Sequence, residues 1–268
     1  MAKYKKKRAR ELQHDRFRDT TMSFFDRLGD LLEGRGRMIL YVLGGIIVAG
    51  VLITVFVKWS NKKSNEARAA LGRAITISRA QVSTTPIPGN TELTFATDQE
   101  RAQRAIDEFQ KVAAKYGDPY RSESQYFIAS NRLVIDRQKG ISELTELQNS
   151  KVGEVSALSK FALAQTYESD GKYDDAARLY ADLAKLNSPT VTAESANLRL
   201  AKVYEKQGKK KEASDLLFTI VDTARKAKGS DNQPLPQSSA AREAGEELQK
   251  LDPDRHAQLP PETPLLAG

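Results

Sequence analysis

The stretch SALSKFALAQTYESDGKYDDAARLYADLAKLNSPT, residues 156–190, decides the fold of this chain. Its apolar residues recur at helical spacing on both sides of Gly171, which predicts two amphipathic helices joined by a tight turn. Ala164 and Ala176 are small enough for the two helices to approach closely, and Tyr167 and Tyr180 are expected to fill the space beyond them. The stretch therefore predicts a helical hairpin.

A second copy of this hairpin follows in ESANLRLAKVYEKQGKKKEASDLLFTIVDTARKA, residues 194–227. With Gly208 aligned on Gly171, the offset is 37 residues, close to the period of about 34 residues of helical-hairpin repeats. The repeated positions are Leu163, Ala164, Tyr167, Gly171, Tyr173, Ala176 and Tyr180 in the first copy and Leu200, Ala201, Tyr204, Gly208 and Ala213 in the second.

This pattern resembles the tetratricopeptide repeat, a family of paired helices that stack into solenoids. The first copy departs from the family pattern because Lys160 stands where the early tryptophan is expected and Pro189 comes one place late. In the second copy Lys210 and Leu217 replace the two aromatic residues. The resemblance implies an α-solenoid that binds protein partners.

Weaker copies precede these two. Residues 105–119 are similar to the second helix of a repeat, with residues 66–82 as its first helix, and residues 122–148 resemble a further hairpin. We therefore expect an all-α fold: one transmembrane helix followed by an α-solenoid of about four tetratricopeptide-like helical hairpins.

The transmembrane helix is predicted from MILYVLGGIIVAGVLITVFV, residues 38–57, which contains no charged residue. At about 1.5 Å per residue, a helix of this length matches the hydrocarbon core of a bilayer, about 30 Å thick. Tyr41 and Trp59 lie near the two expected interfaces. A buried core helix would show a polar face, and a cleavable signal peptide would be followed by a small-residue cleavage site; KWSNKKSNEAR, residues 58–68, offers none.

Charge is concentrated around this span. Residues 1–37 contain eleven Lys and Arg against six Asp and Glu, residues 58–63 add three lysines, and the rest of the chain is close to neutral. The repeat domain thus lacks the basic excess typical of nucleic-acid binding. The basic arm favours a cytoplasmic N-terminus, although the basic residues within about twenty positions of the span are similar in number on both sides.

The sequence divides into a basic cytoplasmic arm at residues 1–37, the span at 38–57, the repeat domain at 64–251 and a disordered tail at 252–268. Within the arm, the apolar spacing at 11–33 predicts an amphipathic helix that lies on the membrane or packs on a partner. The whole layout resembles the ancillary subunit of the bacterial SecYEG translocon. That resemblance implies a single-pass protein of the bacterial inner membrane, with a periplasmic repeat domain that contacts translocon subunits and periplasmic chaperones.

No catalytic, cofactor-binding or metal-binding pattern is present in the sequence. The chain has no cysteine, and its two histidines, His14 and His256, lie in the terminal arms. We therefore expect no enzymatic activity, no cofactor, no small-molecule substrate and no nucleic-acid partner. The open alternatives are an envelope or cell-division assembly factor and a peptidoglycan-active protein.

The expected binding site is the groove lined by the first helix of each repeat. Mixed apolar and charged residues suit a helix or an extended peptide, and the alternative is that they only pack against the next helix. The groove residues predicted from the register are Phe161, Gln165, Glu168, Leu198, Lys202 and Glu205.

The orientation can be tested by proteolysis of spheroplasts. A protease added outside should digest residues 64–268 and leave the N-terminal arm protected, because the uncleaved span places the two on opposite sides of the membrane. Protection of the repeat domain in intact spheroplasts, with digestion after lysis, would reverse the orientation.

Overall fold

The computed structural model describes residues 36–84, 93–186, 188–230 and 232–261. The chain divides into two compact units, residues 1–65 and residues 66–268. The amphipathic helix expected at 11–33 lies outside the described residues. In the described ranges the chain is mostly helical.

The secondary structure consists of helices connected mostly by short turns. The helices are α1 Gly36–Ser78, α2 Asp98–Lys115, α3 Tyr120–Ile135, α4 Arg137–Leu147, α5 Gly153–Ser169, α6 Tyr173–Lys185, α7 Ala193–Lys206, α8 Lys210–Lys226, α9 Ser239–Leu251 and α10 Pro253–His256. Two short parallel strands, β1 Gln81–Val82 and β2 Thr94–Phe95, flank the insertion between α1 and α2.

The first unit contains the apolar part of α1. The stretch from Gly44 is long and apolar enough to cross a membrane, and its most apolar window is not buried in the protein. Ile46, Leu52 and Phe56 are 62%, 63% and 64% exposed. The hydroxyl of Thr54 donates to the carbonyl of Val51 at 2.8 Å, so this polar group is already hydrogen-bonded within the helix.

The second unit begins with the C-terminal part of α1, which packs against α2 and α3. Ala67 and Ala74 are each 1% exposed and belong to one apolar cluster with Phe109. Phe109 of α2 stacks on Phe127 of α3 with ring centroids 4.8 Å apart. Residues 66–78 and α2 thus form the first hairpin, and aromatic stacking connects it to the next.

Each later hairpin packs on its neighbours in chain order. Helices α3 and α4, α5 and α6, and α7 and α8 form pairs, and α4 contacts α5 while α6 contacts α7. The predicted fold class, all-α with one long apolar helix and a tetratricopeptide-like stack of helical hairpins, is confirmed.

The turns of the two repeated hairpins have the same backbone. Gly171 and Gly208 have φ values of +71° and +75°, in the left-handed region that favours glycine. The N–H of the residue after each glycine donates to the carbonyl of a tyrosine, at 2.8 Å for Tyr167 and 2.9 Å for Tyr204. These bonds satisfy a carbonyl left free at the helix end, which fixes the turn.

Small residues lie where the paired helices meet. Ala164, Ala176, Ala201 and Ala213 are all 0–1% exposed. In the α3–α4 hairpin the contact is tighter still, because a Cβ on Gly140 would lie 2.7 Å from the backbone nitrogen of Leu133 and 3.0 Å from the carbonyl oxygen of Ala129. Only glycine fits that position, which is the counterpart of Ala176.

Helix α9 packs on α7 and α8 and closes the stack. Its buried face consists of Ala240, Ala241, Ala244, Gly245 and Leu248. The register therefore continues one helix beyond the last hairpin, and this helix covers the apolar surface that α7 and α8 would otherwise leave open.

Residues 252–261, which were expected to belong to a disordered tail, instead form the short helix α10 and a packed turn. The carboxylate of Asp252 accepts hydrogen bonds from Ser214 at 2.8 Å and from the N–H of Arg255 at 3.0 Å, which caps α10. Leu259 is 9% exposed and joins the apolar cluster of α8 and α9. Residues 252–261 therefore form a capped helical turn and an apolar contact, although their composition is typical of disorder.

A pair of glycine substitutions tests the hairpin contact. Gly140→Ala should destabilise a soluble fragment of residues 64–268 by about 1–3 kcal/mol, because the added methyl group overpacks the α3–α4 contact. Gly72→Ala is the control: nothing lies within 4 Å of the added Cβ, so it should stabilise by about 0.4–1 kcal/mol. Urea unfolding measures both; equal effects of the two substitutions would contradict the tight contact.

Candidate protein-binding surface

The first helices α5 and α7 carry the six predicted groove residues. On α5, the side chain of Gln165 is exposed. Phe161 is partly buried, because its ring packs edge-to-face on Tyr180 of α6 with ring centroids 5.9 Å apart. Glu168 lies at the end of α5 with its side chain 13% exposed. Of these three residues, Gln165 is the one open to a ligand without rearrangement.

Glu168 is the centre of a polar network that connects three helices. One carboxylate oxygen accepts a hydrogen bond from the Tyr180 hydroxyl at 3.1 Å, and the other pairs with Lys206 of α7 at 2.7 Å. Burial raises the pKa of Tyr180, and the negative charge of Glu168 raises it further, so the phenol stays neutral and donates a hydrogen bond to the carboxylate. Glu168 therefore serves the packing of α5, α6 and α7.

Leu198 and Lys202 on α7 face α9 rather than an open groove. Leu198 is 5% exposed and lies in the apolar cluster shared by α8 and α9. The ammonium of Lys202 pairs with the carboxylate of Glu243 on α9, and this hydrogen bond is the main cause that lowers the pKa of Glu243. The prediction that Leu198 and Lys202 line an open groove is therefore wrong, because α9 packs against the side of α7 that carries them.

The surface left open on the first helices is small and polar. Gln165 of α5 and Glu205 and Arg199 of α7 are exposed, and no ion pair involves Arg199 or Glu205 in the part of the chain that the structure describes. Such side chains can recognise the backbone and polar groups of a bound peptide. They do not provide a lysine-rich clamp for a chain terminus.

Cavities open between helices of the repeat unit. One, of about 350 Å³, lies between α3 and α4 and is lined by Gln125, Glu143 and Glu146 among others. Another, of about 410 Å³, lies between α8 and α9 and includes Arg242 and His256. In the first cavity, the hydroxyl of Ser122 donates to Asp118 at 2.6 Å rather than to either glutamate. No cluster of three or more potential metal ligands occurs among the described residues.

Sequence reasoning missed one link between hairpins. Arg137, the first residue of α4, donates to the hydroxyl of Ser169 at 2.7 Å and to the carboxylate of Asp170 at 2.5 Å, at the end of α5. It also donates to the carbonyl of Thr166 at 3.2 Å. An arginine next to a helix start carries no signal for this contact, because its partners lie a whole hairpin away.

Comparison with known proteins gives only distant similarity. Two crystal structures of a Podosopora anserina protein, described as a kinesin light chain with nearly identical TPR-like repeats, superpose on this chain with a TM-score of 0.48. They are 16% and 17% identical to it, and the alignment covers 72% of this chain and 88% of theirs. No family model and no curated protein matches the sequence.

A charge swap tests the role of Lys202. Lys202→Glu should place two carboxylates side by side and destabilise the repeat unit by about 0.5–1 kcal/mol, a modest value because the pair is half exposed and screened. The double variant Lys202→Glu/Glu243→Lys should restore stability, because it recreates the pair with reversed polarity.

Urea unfolding of the wild type, both single variants and the double variant completes the thermodynamic cycle. Additive effects of the two substitutions, with no recovery in the double variant, would contradict the α7–α9 ion pair.

Proposed function

We propose that this chain is a single-span membrane protein that acts as a scaffold for protein partners. The observation that carries the proposal is the composition of α1. One helix, Gly36–Ser78, contains both an exposed apolar stretch and the first helix of a hairpin stack. A binding unit that continues directly from a span is retained at a membrane surface.

The exposed apolar residues support membrane anchoring. Side chains such as Ile47, Val51 and Phe56 are more than half exposed, and they surround the helix rather than forming one stripe. Contact of so many apolar groups with water is unfavourable by about 25 cal/mol per Å², so a lipid environment is the natural solvent for this segment. Packing against a single partner helix would cover only one side of this segment and leave its other apolar side chains in water.

The hairpin stack supports a binding role rather than catalysis. Charged residues of its first helices take part in ion pairs between helices, Glu168 with Lys206 and Lys202 with Glu243. The exposed residues Gln165 and Glu205 are suited to hydrogen bonds with a peptide or helix. We infer that the partner is a protein segment bound across α5 and α7, without a cofactor, metal ion, nucleic acid or small-molecule substrate.

The proposed location follows from the basic arm and the overall layout. With the arm in the cytoplasm of a bacterium, the repeat unit faces the periplasm, where a resemblance to the ancillary translocon subunit suggests translocon subunits and periplasmic chaperones as partners. The lack of cysteine is compatible with this oxidising compartment. An envelope or cell-division assembly factor, bound to a structural partner through the same surface, is the second candidate.

Site-specific photocrosslinking in living cells tests the proposal. A photoreactive residue at Gln165 or Glu205 should give adducts with translocon subunits or periplasmic chaperones, because both positions are exposed on the first helices. The control position is Asp182, exposed on the second helix α6, which should give none of these adducts.

Adducts with division or envelope proteins at the same two positions would favour the second candidate. If Asp182 gives the same adducts as Gln165, or if no position gives a protein adduct, the first-helix surface is not the binding site.

A further inference from the structure

Three lysines follow the apolar stretch directly, and they remain helical and exposed. Helix α1 continues without interruption past Val57, so Lys58, Lys62 and Lys63 project from a fixed backbone rather than from a loop. In the described part of the chain no ion pair joins these lysines to a carboxylate, and the first acidic residue after them is Glu66. The three positive charges are therefore available to an external anion.

The lysines share one side of the helix with the only tryptophan. At about 100° per residue, Lys58, Trp59, Lys62 and Lys63 lie within an arc of about 140°. The ammonium of Lys63 lies 5.4 Å from the centre of the Trp59 ring, a cation–π distance. This contact holds Lys63 and Trp59 together on the same face.

The depth of these residues matches the headgroup layer. The rise from Lys58 to Lys63 is about 7.5 Å at 1.5 Å per residue. A bilayer of about 40–45 Å with a hydrocarbon core of about 30 Å leaves about 5–8 Å of headgroup region on each side. With Val57 at the edge of the hydrocarbon, all three ammonium groups reach lipid phosphates, and Trp59 takes the interfacial position that its ring prefers.

The geometry points to a binding site for anionic phospholipid formed by Lys58, Lys62 and Lys63. The inference rests on the proposed membrane anchoring, and it adds a lipid class and the residues that select it. In the proposed orientation these lysines lie on the translocated side, where positive charge opposes the usual distribution of basic residues. Anionic headgroups on that side offset this disadvantage by neutralising the charges, at roughly 1 kcal/mol for each lysine near the surface (a five-fold change).

Trp59 provides a direct readout, because it is the only tryptophan in the chain. The full-length protein is reconstituted in two vesicle preparations of identical phosphatidylcholine and phosphatidylglycerol content. Bromine atoms, which quench tryptophan on contact, are placed on the acyl chains of phosphatidylglycerol in one preparation and of phosphatidylcholine in the other. Each signal is normalised to unbrominated vesicles and to the amount of brominated lipid.

Quenching per brominated phosphatidylglycerol should be at least about twofold stronger than per brominated phosphatidylcholine, and the preference should weaken at high salt. The triple variant Lys58→Gln/Lys62→Gln/Lys63→Gln should lose the preference. The matched variant Arg68→Gln/Arg73→Gln/Arg79→Gln removes three exposed positive charges further along α1 and directly after its end, beyond the headgroup layer, and should keep the preference.

The possible failures are distinguishable. Equal quenching by the two lipids in the wild type leaves the anchoring intact and overturns the lipid site. A preference that persists in the triple variant, or disappears in the matched variant, also overturns the assignment to these lysines. Absence of quenching by either lipid means that Trp59 does not lie at a membrane, and then both the anchoring and the lipid site fail.

Discussion

Close contact between paired helices at small residues is the constraint on which the repeat unit depends. Ala164 and Ala176 are fully buried, and Gly140 leaves no room for a Cβ beside the backbone of α3. Larger residues at these positions would push the helices apart and break the apolar contacts on either side, because a packed interior relaxes only partly. The alignment of Gly171 with Gly208 follows from the same constraint, since each turn must place the second helix at a fixed distance from the first.

Polar contacts between hairpins then determine which surface remains open. Arg137 connects α4 to α5, Glu168 connects α5 and α6 to α7, and Lys202 connects α7 to α9. Each contact uses a side chain that would otherwise be available to a partner. The surface that remains open on α5 and α7 is narrower than a full groove, and it lies around the exposed residues Gln165 and Glu205.

The sequence predicted the hairpins wherever small and large apolar residues alternate at helical spacing, since this pattern follows directly from helix geometry. It predicted the α3–α4 hairpin less well because Gly140 replaces alanine and the turn is shorter by one residue. It misplaced Leu198 and Lys202 because their environment is set by α9, about forty residues away. The tail was misjudged for a different reason: Asp252 followed by Pro253 is a helix-start signal, but the helix is only one turn long.

Amide hydrogen exchange of the Ala176→Leu variant tests the central claim, that the unit is a linear stack held by one small-residue contact in each hairpin. In such a stack, each hairpin interacts only with its neighbours. Compared with the wild type, exchange should increase most in α5 and α6, less in α4 and α7, and little in α2. A uniform increase from α2 to α9, or no increase in α5 and α6, would contradict the claim.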